Sequence, residues 1–224
     1  MIGTLITLAI TAVKAAVAAV TAALPKIGAA VMNLVNKIPQ NLWRPLCELT
    51  TNIVKNISGI NDSACEIGEK ARVAAEKKVQ PEDFKSKTDY LKHLQDKIEV
   101  DHEKMKNLSP EERMARELTG IVLFTQSIEE KCGLKLPVEV LHTLSKIAMP
   151  AEQFLILAEK LKNSELTMND VVSYLDEKCP GSKIADVDAL LKDAVTLFLG
   201  DKATRDSVNQ CILDMIDKNK QVEA

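Results

Sequence analysis

The sequence predicts an all-α protein, with an apolar N-terminal segment that resembles a helical hairpin and a multi-helix bundle as its body. Two features of the composition favour this fold: aromatic residues make up only 3% of the chain, and only 8 of its 224 residues are glycine. β-Sandwiches and barrels need aromatic and β-branched strands separated by frequent turns. A third feature is periodicity, because apolar residues recur at helical spacing and no long stretch alternates with period two.

The charge distribution divides the chain into two regions near residue 60. The whole chain has a net charge of −3, and its first 60 residues contain five basic residues but a single acid, Glu48. The first 60 residues therefore carry +4, and the remainder carries −7. We predict an apolar, cationic helical segment over residues 1–58 and an acidic, soluble α-helical domain over residues 60–224. An acidic body argues against nucleic-acid binding, which requires a clustered basic face.

Residues 4–24 are predicted to form one helix that is apolar on nearly all sides. A thin polar stripe recurs at steps of three and four residues, which places it on one side of an α-helix. This polar stripe consists of Thr4, Thr7, Thr11, Lys14 and Thr21. A second row, the aliphatic row, lies about 100° around the helix from the first. It consists of Ile6, Ile10, Val13, Val17, Val20 and Leu24.

Prolines divide the rest of the N-terminal segment into further apolar helices. Pro25 and Pro39 bracket the second helix, and a third extends towards residue 58. Lys37, Trp43 and Arg44 are predicted to be interface anchors, because tryptophan and basic side chains are typical of the boundary between a membrane and water. The alternative for Trp43 is an ordinary anchor in a protein core.

Four interpretations of the first helix compete. A secretory signal needs a basic segment before its apolar core, and a mitochondrial transit peptide is rich in Arg and Ser; this helix has neither property. A solitary membrane span is marginal, since its aliphatic residues favour insertion by about 3–4 kcal/mol and a central lysine opposes it by about 2.5–3.5 kcal/mol. Insertion as part of a membrane assembly and burial in a soluble bundle or polymer both remain.

The body is predicted to be a series of amphipathic helices. Residues 86–108 carry an apolar stripe over about three heptads, which predicts one long helix or a coiled coil. Ser109 and Glu112 match the capping box of a following helix, and Gly133 is expected to end that helix. Shorter helices are predicted at residues 137–148, 151–163, 168–178, 184–199 and 202–218.

Motifs for catalysis, cofactor binding and metal binding are not recognisable, so we expect no enzymatic activity, no cofactor and no metal. The five cysteines are far apart and odd in number, which argues against zinc and against a dense disulfide framework. Asp101, His102 and Glu103 are interpreted as a charged helix surface, because neighbouring positions of a helix point in different directions. Cys132 and His142 are interpreted as a packed thiol and a surface imidazole.

The favoured hypothesis is a non-enzymatic, membrane-active helical protein whose N-terminal helices insert or dock and then assemble, as in a pore or translocator subunit or a membrane-anchored effector. The expected partners are further copies of the chain and either an anionic membrane or partner helices, with no nucleic acid and no evident small-molecule substrate. Membrane association without a cleavable signal peptide is the expected localisation. The alternative is a structural subunit of a coat, filament or shell, whose N-terminal helices are buried between copies.

Overall fold

The computed structural model describes residues 2–221, and the side chains of residues 10–221. Twelve α-helices and no strand are found in this described part, which confirms the all-α prediction. The helices are α1 (Ile2–Val20), α2 (Pro25–Lys37), α3 (Trp43–Ser58), α4 (Ala64–Glu76), α5 (Lys87–Lys97), α6 (His102–Lys106), α7 (Pro110–Cys132), α8 (Val138–Lys146), α9 (Ala151–Lys162), α10 (Met168–Leu175), α11 (Gly181–Leu199) and α12 (Arg205–Gln221). Short 3₁₀ helices span Gln40–Leu42, Pro81–Asp83 and Gly200–Lys202.

A tight corner joins α1 to α2. Pro25 occupies the first position of α2, where a missing backbone N–H is not needed for a helical hydrogen bond. Gly28 lies against the side chain of Thr21, and a Cβ at this glycine would come within 2.5 Å of the threonine hydroxyl. The absent side chain therefore allows the first turn of α2 to pack against the end of α1.

The centre of the fold is α7, which packs against α1, α2, α3, α4 and α5. Its predicted start is confirmed, because the Ser109 hydroxyl accepts the backbone N–H of Glu112 and the Glu112 carboxylate accepts that of Ser109. Its predicted end is also confirmed: Gly133 adopts a φ of 64°, a left-handed conformation that favours glycine. Most of α7 is buried, as expected for a helix surrounded by others.

The closest packing in the fold is the crossing of α4 and α7. A Cβ on Gly68 would overlap the backbone carbonyl of Arg116, and a Cβ on Gly120 would overlap that of Ala64. The two backbones are thus in direct contact at two glycines, one on each helix. Replacing either glycine requires the helices to separate.

The prediction of a single long helix at residues 86–108 is wrong, because this segment forms two helices, α5 and α6. Ile98 ends α5 in an extended conformation with its side chain buried. Asp101 then caps α6, since its carboxylate accepts the backbone N–H groups of Glu103 and Lys104 at 3.0 Å. Burial of an aliphatic side chain and a local capping carboxylate together outweigh the continuous heptad pattern.

The compositional boundary near residue 60 falls in the loop between α3 and α4, but the hydrophobic core crosses it. Val17 of α1, Ile53 of α3 and Leu118 of α7 all belong to one cluster of buried side chains, which continues to Phe154 of α9. The last helices pack as a second group, with α11 against α9, α10 and α12. The two regions therefore differ in composition and share a core.

Candidate binding cleft between α3 and α7

The polar stripe of α1 is divided between different environments. Thr4 and Thr7 belong to α1, but their side chains lie outside the described part of the chain. Thr11 is exposed and Lys14 is half-buried. Thr21 is buried, and its hydroxyl donates to the backbone carbonyl one turn earlier at 2.7 Å. That these residues line the interior of an assembly stays a prediction.

The aliphatic row of α1 faces the centre of the same chain. The predicted helix over residues 4–24 ends too late, because α1 ends at Val20 and the chain turns before Leu24, the residue that precedes α2. Four members of the row are at most 5% exposed and belong to the main core: Val13, Val17 and Val20 of α1, and Leu24. Ile10 is partly buried against that core, and the side chain of Ile6 lies outside the described part. Because α1 packs along α7, protein covers this row. Among the described helices, none has both the length and the apolar character needed to cross a bilayer.

Two of the three predicted interface anchors, Lys37 and Arg44, form ion pairs within the chain. Lys37 Nζ lies 2.7 Å from Glu139 Oε1, which ties α2 to α8. Arg44 Nε lies 3.0 Å from Glu48 Oε1, one turn further along α3. Both pairs are largely exposed and contribute little to stability. They do, however, neutralise two of the five basic side chains of the N-terminal segment.

The third anchor, Trp43, forms part of a cleft between α3 and α7. Its ring is buried, and its Nε1 donates to the backbone carbonyl of Ile38 at 2.9 Å. The cleft has a volume of about 400 Å³. Its buried floor consists of Trp43, Leu118 and Ile121, its half-buried walls of Cys47, Met114 and Glu117, and its exposed rim of Gln40, Arg44 and Glu48.

Glu117 is the carboxylate in the wall of this cleft, and its environment disfavours the charged form. Loss of solvent raises the pKa of Glu117 above the usual value for glutamate, although the positive charge of Arg113 opposes the shift. Arg113 influences the carboxylate through its charge and forms no ion pair with it. No other described residue forms an ion pair with Glu117. A half-buried acid of perturbed pKa in a cleft is a candidate for a functional site.

The neighbouring thiols are not activated. Burial raises the pKa of Cys47, and the Glu117 carboxylate adds to this effect. Burial and the same carboxylate raise the pKa of Cys65, on α4, to about 11. A nucleophilic cysteine requires a lowered pKa, which provides the thiolate at neutral pH. The cleft combines an apolar floor, the neutral thiol of Cys47 and a carboxylate with no ion pair among the described residues, which suits binding better than nucleophilic chemistry.

The sequence contains a signal for this cleft, although the signal matches no motif for catalysis, cofactor binding or metal binding. Met114, Glu117, Leu118 and Ile121 follow one another at steps of three, one and three, so all four lie on one side of α7. A carboxylate within an apolar stripe either finds a partner inside the protein or faces a cavity. Which of these applies depends on α3, a helix that lies far from Glu117 in the sequence.

Metal binding finds no support in the described part of the chain, where no three His, Cys, Asp or Glu side chains lie close enough to hold an ion. Cys132 is buried and its pKa is raised by that burial, in keeping with a packed thiol. No family model matches the sequence, and neither a curated protein nor a solved structure is significantly similar to it.

Proposed function

We propose that this chain is a non-enzymatic binding subunit whose α3–α7 cleft receives an amphipathic helix of a partner protein. The partner helix carries a lysine or arginine beside its apolar face. One observation carries this proposal: Glu117 is a half-buried carboxylate that has no ion-pair partner among the described residues, and it lies in a cleft whose floor is apolar. The partner's cation supplies the missing charge, and its apolar side chains cover Trp43, Leu118 and Ile121.

The shape of the cleft favours a helix as its occupant. Two helices form its sides, and a groove between helices accommodates the apolar face of a third, with anchors at helical spacing. Met114 supports this mode of binding, because an unbranched thioether side chain adapts to differently shaped partners. Glu48 on the rim is already paired with Arg44, so the carboxylate of Glu117 in the wall is the charge that selects a basic helix over an acidic one.

The membrane-active hypothesis requires α1 to leave its place in the fold. Release re-exposes the four buried members of the aliphatic row, at about 1.5–3 kcal/mol for each side chain and so roughly 6–12 kcal/mol in total. Insertion of a span with a central lysine recovers only about 1 kcal/mol. Intact packing of α1 is therefore favoured, and the cleft, which is present without any rearrangement, is the better-supported site.

The basic residues of the N-terminal segment support the same conclusion. Lys26 Nζ lies 3.2 Å from Glu82 Oε1, so Lys26 joins Lys37 and Arg44 in pairing with acids of this chain. Lys26 and Lys37 thus pair with acids of the body, and Arg44 pairs with the one acid of its own segment. These pairs leave less uncompensated positive charge on the N-terminal segment to attract anionic lipid.

Trp43 provides a direct test, because it is the only tryptophan in the chain and lies in the cleft floor. Titration of the full chain with a designed amphipathic Leu/Lys helical peptide is expected to change its fluorescence saturably. A Leu/Glu peptide of equal length is expected to produce no such change. Binding of the Leu/Lys peptide to Glu117→Gln should be about tenfold weaker, since one charge-assisted contact is lost.

The matched control is Glu165→Gln, which removes an exposed carboxylate from the loop before α10. This variant should bind the Leu/Lys peptide as the wild type does. Equal binding by Glu117→Gln and the wild type would contradict the proposed site. Strong co-sedimentation with anionic vesicles, without peptide binding, would instead favour the membrane-active hypothesis.

A further inference from the structure

A second, smaller cavity lies between α2, α7 and the start of α8, away from the α3–α7 cleft. Its volume is about 190 Å³, close to that of engineered apolar cavities of about 150 Å³ that bind benzene. Five buried aliphatic side chains supply most of its wall: Leu34, Val122, Leu136, Val138 and Leu141. The apolar part of a ligand is thus limited to about the size of a single ring.

The polar groups around this cavity include one buried acceptor that has no partner among the described residues. Gln126 lines the cavity, and its side-chain oxygen Oε1 is buried without a hydrogen-bond partner in the described part of the chain. Leaving such an acceptor unsatisfied costs about 1–3 kcal/mol. The terminal torsion of a glutamine has broad energy minima, so a small rotation of the amide presents this oxygen to a ligand.

Glu129, one turn further along α7, adds a negative charge. One of its carboxylate oxygens, Oε1, accepts the backbone N–H of Leu136 at 2.7 Å, which fixes the side chain and leaves the other oxygen available. The nearby Thr125 hydroxyl donates to the carbonyl of Ile121 at 2.9 Å, so its proton is already used. No lysine or arginine is among the described residues that line the cavity.

We propose that this cavity binds a small primary amine with an apolar body of about one ring. The ring lies among the aliphatic side chains, and the ammonium group donates hydrogen bonds to Gln126 and Glu129. Such a ligand donates a hydrogen bond to the buried oxygen of Gln126 and forms an ion pair with Glu129. A neutral hydrocarbon or an anion does neither. This site shares no lining residue with the α3–α7 cleft, so the two proposals can fail independently.

Benzylamine is the probe that tests the proposal, with benzyl alcohol and benzoate as isosteric controls. Binding to the full chain is measured by calorimetry and by NMR shifts of the Val122 methyl groups. Benzylamine should bind saturably, benzyl alcohol about tenfold more weakly, and benzoate not at all. Equal binding of benzoate and benzylamine, or no saturable binding of benzylamine, would overturn the proposal.

Two adjacent glutamates provide matched variants. Glu129→Gln keeps an acceptor for the Leu136 N–H but removes the charge, and should weaken benzylamine about tenfold with benzyl alcohol unaffected. Glu130→Gln alters a carboxylate that accepts the backbone N–H of Lys87 and does not line the cavity. It should bind benzylamine as the wild type does. Equal weakening by both variants would show that only the general acidity of this surface matters.

Discussion

Two sides of the same helix, α7, meet their neighbours in opposite ways. Towards α4, Gly120 and Gly68 bring the backbones into contact, and the Arg116 guanidinium forms a closed ion pair with Glu69 at 2.5 Å. Towards α3, the next residue, Glu117, has no ion-pair partner among the described residues and faces a cleft of about 400 Å³. Adjacent residues of a helix point about 100° apart, so one helix can hold both environments.

The difference shows how this fold separates stability from binding. Glu69 also receives Arg72, whose Nη2 lies 2.7 Å from Glu69 Oε1, so its charge is compensated twice. Burial alone would raise the pKa of Glu69, but hydrogen bonds from Arg72 and Arg116 outweigh it and hold this pKa below the usual value. The pKa of Glu117 shifts in the opposite direction because loss of solvent outweighs the positive charge of Arg113, which makes no ion pair with it in the described part of the chain. The compensated charge of Glu69 stabilises the packing of α4 on α7. The carboxylate of Glu117, which has no ion pair in the described part of the chain, can still bind a cation from a partner.

The largest expected effect concerns the glycine contact. Gly120→Ala should destabilise the fold by about 3 kcal/mol, because the new Cβ overlaps the Ala64 carbonyl and forces α4 away from α7. Thermal or urea unfolding measures this loss. Gly181→Ala is the control, since a Cβ there has open space and the site is exposed. Equal stability of the two variants would show that the α4–α7 interface is looser than the structure indicates.

Removal of the central acid should have a similar but smaller effect. Glu69→Gln leaves the Arg116 charge buried without its partner, and the expected loss of unfolding free energy is about 2–3 kcal/mol at pH 7. Glu76→Gln, which alters the exposed partner of Arg72, should change stability by less than about 0.5 kcal/mol.

The pH dependence of the Glu69 contribution follows from its lowered pKa. Its stabilisation is fully present above the pKa of an unfolded glutamate and is lost as the pH falls through the lower, folded value. The difference between the wild type and Glu69→Gln should therefore shrink in acid. A difference that stays constant down to pH 2 would contradict the closed ion pair.

Glu117→Gln should have the smallest effect on stability, and the opposite sign. The pKa of Glu117 is raised, so the folded state binds its proton more tightly and stability falls as the pH rises through the folded pKa. Removing the carboxylate should stabilise the protein on the order of 0.5 kcal/mol at pH 8 and should have no effect below the unfolded pKa. Destabilisation by this variant at pH 8 would indicate that Glu117 has a structural partner.

The sequence predicts local features of this molecule better than contacts between distant segments. The capping box at Ser109 and the left-handed Gly133 depend on a few neighbouring residues, and both predictions are confirmed. The close approach of Gly68 to Arg116 depends on how two helices cross, which no local pattern specifies. The aliphatic row of α1 predicts an apolar face that must be buried. Lipid, another copy of the chain or α7 could each bury it, and the pattern does not distinguish between them.

The α3–α7 cleft illustrates the same limit. The residue types of Trp43 and Arg44 predict an interface anchor, and the two residues lie in the floor and on the rim of the cleft. Glu117 stands in an apolar stripe of α7, but whether it pairs with a base depends on the position of every basic residue in the fold, and within the described part none pairs with it. That information is three-dimensional, and the linear pattern does not contain it.

The most direct test of these two environments is a carbon-13 NMR titration of the glutamate carboxyl groups, with and without the Leu/Lys peptide. The pKa of Glu117 should lie above the usual glutamate value and that of Glu69 below it. Saturating peptide should lower the pKa of Glu117, because a cation then faces the carboxylate, and should leave that of Glu69 unchanged. An ordinary pKa for Glu117 that the peptide does not alter would contradict the proposed binding site.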